Sequence, residues 1–354
     1  MAFEPSKGLL ACGYCEHSQA MPDVDAERHD QVLQEHDFHA FANADQTQIA
    51  ALTSTAQEVD CPGCRATLTF EPPDVADCCP FCGTSIVAQA HATDPSIVPT
   101  GVIPFKVGRK QANEALRDWL SVRWNLRDFE ALFLPGKLKD LAQQQGLSGV
   151  YLPFWTFDAH TVNDYRGEQG THHYEYERDS DGDLERVQKT SWKPASGQMT
   201  IPFNDVLVAA SEVMDAEKLR RLWPRIWAGD LEPYSPAYLA GFKAQRYQVP
   251  LQQGFEIAQK RMDASIRGLI KRDIGGDDQK IHKISTVYSQ ETFRYILLPV
   301  WLMSYRYQGE TYQVMVNAQT GKVFGERPWS PWKTLVVLAI ALAAFAAVVK
   351  FLVG

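Results

Sequence analysis

Two cysteine knuckles constrain this chain more than anything else in it. Cys61-Pro-Gly-Cys64 and Cys79-Pro-Phe-Cys82 together read CxxC-x14-CxxC. Four thiolates at this spacing can close a tetrahedral shell around Zn2+, with bonds of about 2.3 Å. The two-residue spacer turns each pair back on itself, with Gly63 and Gly83 expected to relieve the backbone. Between the knuckles, Ala66 to Glu71 alternates as a strand does. The expectation is a zinc ribbon over 59–90, ligated by Cys61, Cys64, Cys79 and Cys82. A pair of disulfides fits poorly with a body kept reduced in the cytosol. A thioredoxin-type redox pair needs a CxxC at a helix start in a βαβ setting, and neither pair has one. Cys78 adjoins Cys79 and reads as a bystander thiol.

A second knuckle, Cys12-Gly-Tyr-Cys15, stands alone. Phe3-Glu4-Pro5 matches Phe70-Glu71-Pro72 at an offset of 67, and Cys12 and Cys15 match Cys79 and Cys82 at the same offset. Residues 1–20 therefore read as the second half of another ribbon, with Cys12 and Cys15 an incomplete site. Its first knuckle would fall just before Met1, so either the start codon lies upstream or this ribbon has decayed. Completion by His36 and His39 would give CxxC-x20-HxxH, which is off the usual finger spacing. Residues 21–58 read as a polar helical linker, with a helix over 25–40 that leaves those histidines exposed.

All seven cysteines precede residue 83, in the acidic part of the chain. Residues 1–100 hold 3 basic and 15 acidic residues, a net of −12, and the remaining 32 basic and 28 acidic residues leave +4 elsewhere. Around the ribbon, Asp60, Glu71, Asp74 and Asp77 face only Arg65. A phosphate-binding ribbon needs the opposite balance, so the charge favours protein partners over nucleic acid.

The C-terminus reads differently. Leu335 to Val349 carries no charge, and Trp329, Trp332 and Lys333 precede it as interfacial anchors would. With Lys350 snorkelling, 333–353 is long enough to span a bilayer. The expectation is a tail-anchored, single-pass protein of the bacterial inner membrane with its body in the cytoplasm. Met1 to Leu10 has neither a basic n-region nor an apolar h-region, so no signal peptide is expected there.

Residues 91–330 read as an α+β body. The prolines at 95, 99 and 104 mark 83–104 as a linker region. Helices are expected at 107–124, 211–223 and 250–273, the last closed by Gly275-Gly276. Leu152-Pro153-Phe154-Trp155 and Leu298-Pro299-Val300-Trp301 repeat one theme, each followed by Tyr-x-Gly-Glu. They read as two related β-meander units, with Pro153 and Pro299 at an edge or bulge. The second unit continues through 311–316 and 322–325, with a turn at 317–321.

No catalytic signature emerges. The chain has no GxxxxGK[ST] loop, no GxSxG elbow, no HExxH and no kinase set. His172-His173 reads as a solvated strand face. Asp179-Ser-Asp-Gly-Asp183 lacks the position-12 Glu of a calcium loop and reads as a polar hairpin turn. These residues name no catalytic or cofactor-binding group.

The paired knuckles resemble a family when taken together with GVYLPFWTFDAHT, PYSPAYLAGF at 233–242, DIGGDDQ at 273–279, LLPVW at 297–301 and VNAQTGKVFGERPWS at 316–330. The chain is similar to bacterial zinc-ribbon membrane proteins, often catalogued as primosomal protein N′ (replication factor Y), superfamily II helicase-like or TFIIB-type zinc ribbon-containing proteins. Such proteins tend to be encoded beside SPFH-type or phage-shock-type membrane proteins, which implies a membrane-associated assembly role. The helicase label has no nucleotide-binding motif behind it here. Members tend to have a complete first ribbon, and this chain departs from that at Cys12 and Cys15. The combined expectation is a non-enzymatic adaptor whose zinc ribbon recruits protein partners at the membrane. The alternative is a membrane-tethered nucleic-acid-binding protein of replication or transcription.

Overall fold

A strand that is buried at every residue needs cover on both faces. Two such runs, at 149–157 and 295–303, organise the molecule. The computed structural model describes residues 1–15, 17–21, 29, 33–42, 53–54, 57–69, 76–87, 91–92, 96–120, 146–178, 184–307, 310–325, 345 and 349. The N-terminal elements are β1 (Ala2–Glu4), β2 (Leu9–Ala11), β3 (Ser18–Ala20), β4 (His36–Asp37), α1 (Phe38–Ala42), β5 (Thr53–Ser54), β6 (Gln57–Asp60) and β7 (Thr67–Thr69). They are followed by β8 (Ala76–Cys78), β9 (Ser85–Val87), β10 (His91–Ala92), β11 (Ser96–Ile97), β12 (Gly101–Val102) and α2 (Arg109–Leu120). The body continues through β13 (Ser148–Arg178), β14 (Leu184–Ala209), α3 (Ala216–Leu222), β15 (Glu232–Pro233), β16 (Lys243–Gln245) and α4 (Leu251–Ile274). It ends with β17 (Asp278–Tyr307), β18 (Glu310–Asn317) and β19 (Val323–Gly325).

The two LPxW segments do not head separate units. β13 and β17 pair with each other antiparallel, with Leu152 opposite Leu298 and Tyr151 opposite Pro299, at the centre of a twelve-stranded sheet. At about 3.3 Å per residue, the 31-residue β13 is roughly 100 Å long. β14 runs antiparallel along it from Phe154↔Ala209 to Arg178↔Leu184, so β14, β13 and β17 form a three-stranded blade. Beyond Gly170↔Asp278, the β13–β14 pair continues alone among the described residues.

Pro153 and Pro299 occupy neither an edge strand nor a bulge. On one side of β13, β16 pairs at 150–151 and β14 takes over at Phe154. On one side of β17, β12 pairs at 296–297 and β18 takes over at Val300. Each proline therefore sits where one partner strand hands over to the next, a position at which a missing N–H costs no ladder bond.

The two sheet faces carry separate cores. On one face Tyr151, Trp155, Phe157, Phe293, Tyr295 and Trp301 pack with Phe105 and α4. Phe105 and Phe242 stack at 4.0 Å, and Trp155 Nε1 donates to the Val249 carbonyl at 2.9 Å. Leu251, Phe255, Ala258, Met262, Ile266, Ile270 and Ile274 form the buried stripe of α4, which follows from their helical spacing. On the other face Val150, Leu152, Phe154, Ile296, Leu298 and Val300 pack with α3 and the cysteine ribbon.

Several expectations are corrected by these elements. Sheet dominates the described residues, so the expected α+β balance with two β-meander units gives way to one large sheet with helices on its faces. Residues 83–104 are not a bare linker, because β10 and β12 lie in them and join the main sheet. His36 is half-buried against Phe293 in β4 rather than on an exposed helix, because β4 adds to β17 at Thr292–Phe293. The expected membrane helix at 333–353 is also withdrawn. Among the described residues no helix is long and apolar enough to cross a membrane. The segment itself, apart from 345 and 349, lies outside the described residues. The tail anchor and the inner-membrane placement that rested on that helix are withdrawn with it. The hairpin turn expected at 179–183 also lies outside the described residues.

Candidate metal centre

The four ribbon cysteines converge through two turns of matching construction. In the first, Arg65 N donates to the Cys61 carbonyl at 2.8 Å and Cys61 N to the Ala66 carbonyl at 2.9 Å. In the second, Gly83 N donates to the Cys79 carbonyl and Cys79 N to the Thr84 carbonyl, both at 2.8 Å. The residue after each knuckle is left-handed, Arg65 at φ 61° and Gly83 at φ 71°. Gly83 thus has the conformational role expected of it, whereas Gly63 is needed for space. A Cβ on Gly63 would lie 2.4 Å from Thr84 Oγ1 and 3.2 Å from Cys82 Sγ.

The sulfur atoms of Cys61, Cys64, Cys79 and Cys82 all lie within 4.8 Å of one another. The Cys61–Cys82 and Cys64–Cys79 separations are both 3.6 Å. A tetrahedron with bonds of about 2.3 Å has edges of about 3.8 Å, so this set matches a thiolate shell. A disulfide needs sulfurs about 2.05 Å apart, and the cysteines are free thiols. Burial pushes the Cys64 thiol up to about 12 and the Cys79 thiol higher still. Burial also acts to raise Cys82, but hydrogen bonds with Thr84, and then with Cys61 and Cys64, together outweigh it and bring that thiol down to about 7. The Gly63 N–H points at Cys61 Sγ at 3.4 Å, a further donor for thiolate charge. This cluster can hold a metal ion.

The ribbon is built into the sheet. Phe81, at the tip of the second knuckle, is fully buried in the core that contains Ile296, Val300 and Met315. Ser304 Oγ lies 2.8 Å from the Pro80 and Phe81 carbonyls, and Gln313 Nε2 donates to the Phe81 carbonyl at 2.8 Å. Lys243 Nζ donates to the Cys78 carbonyl at 3.0 Å. β7 pairs with β16, and Arg246 Nη1 bridges the buried Glu58 at 3.0 Å. Both knuckles are thereby fixed to the body by backbone and side-chain contacts.

Other residues singled out from the sequence are placed as follows. Cys12 is half-buried and Cys15 exposed, with Cys12 N donating to the His17 carbonyl at 2.8 Å. β2 and β3 precede and follow this turn as β8 and β9 do the second ribbon knuckle. Hydrogen bonding to the Tyr14 and Cys15 backbone lowers the Cys12 thiol to about 7. No third ligand joins Cys12 and Cys15 among the described residues, and His39 pairs with Glu291 at 3.4 Å. Cys78 is exposed. His172 and His173 lie on the blade, bridged to Asp278 at 2.7 Å and Glu175 at 3.4 Å.

A second cluster was not foreseen. Glu35, Asp158 and Asp205 bring their carboxylates within 4.8 Å of one another. Arg294 Nη2 clamps Glu35 at 2.9 Å and Asp205 at 2.7 Å. Asp205 N, in a left-handed residue at φ 52°, donates to Asp158 Oδ1 at 2.7 Å. Burial, followed by the neighbouring Glu35 and Asp205 charges, pushes the Asp158 carboxyl up to about 7. The sequence signal for this cluster is one acid, Asp158, placed directly after the buried run at 149–157.

No family model matches the chain, and no solved structure matches it. An uncharacterized protein, YdjG of Bacillus subtilis, is 29% identical to it over 243 residues, covering 67% of this chain. The chain spans 66% of that relative's length.

Proposed function

We propose that Cys61, Cys64, Cys79 and Cys82 bind one Zn2+, and that the zinc staples the ribbon onto the sheet of a non-enzymatic scaffold protein. The observation that carries this reading is the burial of the second knuckle. Phe81 is enclosed and the Pro80 and Phe81 carbonyls are hydrogen-bonded to the sheet. A metal held there fixes two chain segments to the body, and structural zinc binding contributes directly to folding. A shell of four thiolates also leaves no open position for water or substrate, unlike a catalytic zinc site. On this reading the ribbon supports the scaffold, and the blade supplies the surface for partners. The resemblance to zinc-ribbon proteins supports the choice of zinc, and the acidic ribbon supports protein partners over nucleic acid.

Metal analysis of the purified chain tests the proposal. One zinc per chain is expected, and Cys64→Ser should lose it and unfold the ribbon. Unchanged zinc content in Cys64→Ser would overturn the assignment.

A further inference from the structure

Among the described residues, the outer edge of the blade pairs with no further strand, and its pattern suits pairing with a second copy. Among the described residues, β14 pairs only with β13. Backbone direction along the pair is fixed by two observations. His172 N donates to Asp277 Oδ2 at 2.7 Å, and the Gly170 carbonyl accepts from Asp277 N at 2.9 Å. Even-numbered residues of β13 therefore turn their backbone groups away from β14. The register pairs even residues with even residues without interruption from Ala159↔Phe203 to Arg178↔Leu184. In an antiparallel ladder, residues opposite one another either exchange hydrogen bonds or both face away. The even residues of β14 thus direct their N–H and C=O groups to the free edge. Pro194 and Pro202 are both even, which is why they do not interrupt the ladder with β13.

The same prolines limit what can add to this edge. Pro202 and Pro194 block outward donation at two points, while Leu184 to Trp192 has no proline. Among the described residues, this nine-residue stretch therefore offers the edge its longest run of outward-facing donors without a proline. Antiparallel pairing of the stretch with its own copy has its longest proline-free register when the two-fold axis passes through Gln188. Leu184 then faces Trp192 of the second copy, Arg186 faces Thr190, and Gln188 faces itself. Roughly ten backbone hydrogen bonds close the interface.

The side chains suit this register. Leu184 is 67% exposed and gains an indole as its neighbour. On the opposite face lie Glu175, Glu177 and Glu185, and among the described ion pairs Lys189 reaches the first two but not Glu185. That lysine bridges Glu175 at 2.8 Å and also pairs with Glu177. Glu185 lies directly opposite Glu177, a like-charge pair that opposes hairpin formation. In the symmetric register, the Lys189 of the second copy sits diagonally across from Glu185, and the reverse contact follows by symmetry. Each copy thus offers Glu185 of the other a cation that none of the described ion pairs gives it within its own chain.

We propose that two copies of this chain form a two-fold dimer by antiparallel pairing of residues 184–192 of β14 about Gln188. The contact is isologous, so it closes and does not propagate. It is smaller than a standard interface, so the dimer should form in a concentration-dependent way.

Sedimentation equilibrium of the full chain from roughly 1 to 100 µM should show a shift from 39.8 kDa towards twice that mass. Gln188→Pro removes one outward N–H and leaves the β13 ladder intact, so it should abolish the shift with unchanged thermal unfolding. Gln188→Cys provides a second readout under mild oxidation, in which a 188–188 disulfide should appear on peptide mapping. A chain that stays monomeric throughout, a folded Gln188→Pro that still dimerises, or a dimer that never yields the 188–188 link would each overturn the proposal. Capture of a different protein by this edge from a monomeric chain would do so as well.

Discussion

At the residue scale, the four-cysteine cluster rests on space as much as on sulfur. Gly63 sits where any side chain would meet Thr84 and Cys82. Gly63→Ala should lower zinc affinity by at least tenfold while keeping all four thiols, as competition with a chromophoric chelator would show. Asp158 makes a separate prediction. Its carboxyl is raised to about 7 by burial and by Glu35 and Asp205, against 3.8 for an ordinary Asp. The folded state therefore binds a proton more tightly than the unfolded state. Stability should fall as pH rises from about 4 to about 7, and the loss should persist above that. Asp158 is only partly buried, so solvent screening reduces the effect to about 1 kcal/mol. Asp158→Asn, which can still accept from Asp205 N, should flatten this slope and raise the melting temperature at pH 8. An unchanged slope would show that another group carries it. The cysteine spacing made the first site legible in the sequence. The carboxylate site joins residues 35, 158, 205 and 294, and no local pattern links positions so far apart.

At the scale of elements, helices and knuckles were more legible than strands. The buried stripe of α4 recurs at helical spacing, and its end follows from Gly275 at φ 69°. β13 and β17 were harder to read because their character changes along their length. Both are apolar on each face near the ribbon, then alternate over α4, and β13 is polar on both faces at its tip. A run with no single period does not announce a strand of 31 residues. The repeated LPxW theme was visible, but its meaning as two strands facing each other needed the register. The docking of the ribbon makes its own prediction at this scale. Phe81 is wholly enclosed by sheet residues, so Phe81→Ala should cost about 3–5 kcal/mol. Because the four cysteines remain, it should loosen the ribbon from the sheet before it removes metal. Calorimetry together with zinc content separates the two effects. Loss of zinc without loss of stability would contradict this order.

At the scale of the molecule, one sheet joins the end that carries the four-cysteine cluster to a projecting blade. The two faces near the staple are filled by separate cores, and the ribbon supplies part of one of them. Under the proposed function, zinc at the four cysteines is a structural part of the sheet rather than the core of a detachable recruiting head. Hydrogen exchange with and without a strong chelator tests that claim most directly. Removing the metal should raise exchange in the ribbon and also in β17 and β18 around Ser304 and Gln313, which hold the Phe81 carbonyl. The blade around 160–170, which packs against α4, should keep its protection. Faster exchange confined to 61–84, with 296–315 unaltered, would contradict the account and make the ribbon an independent module.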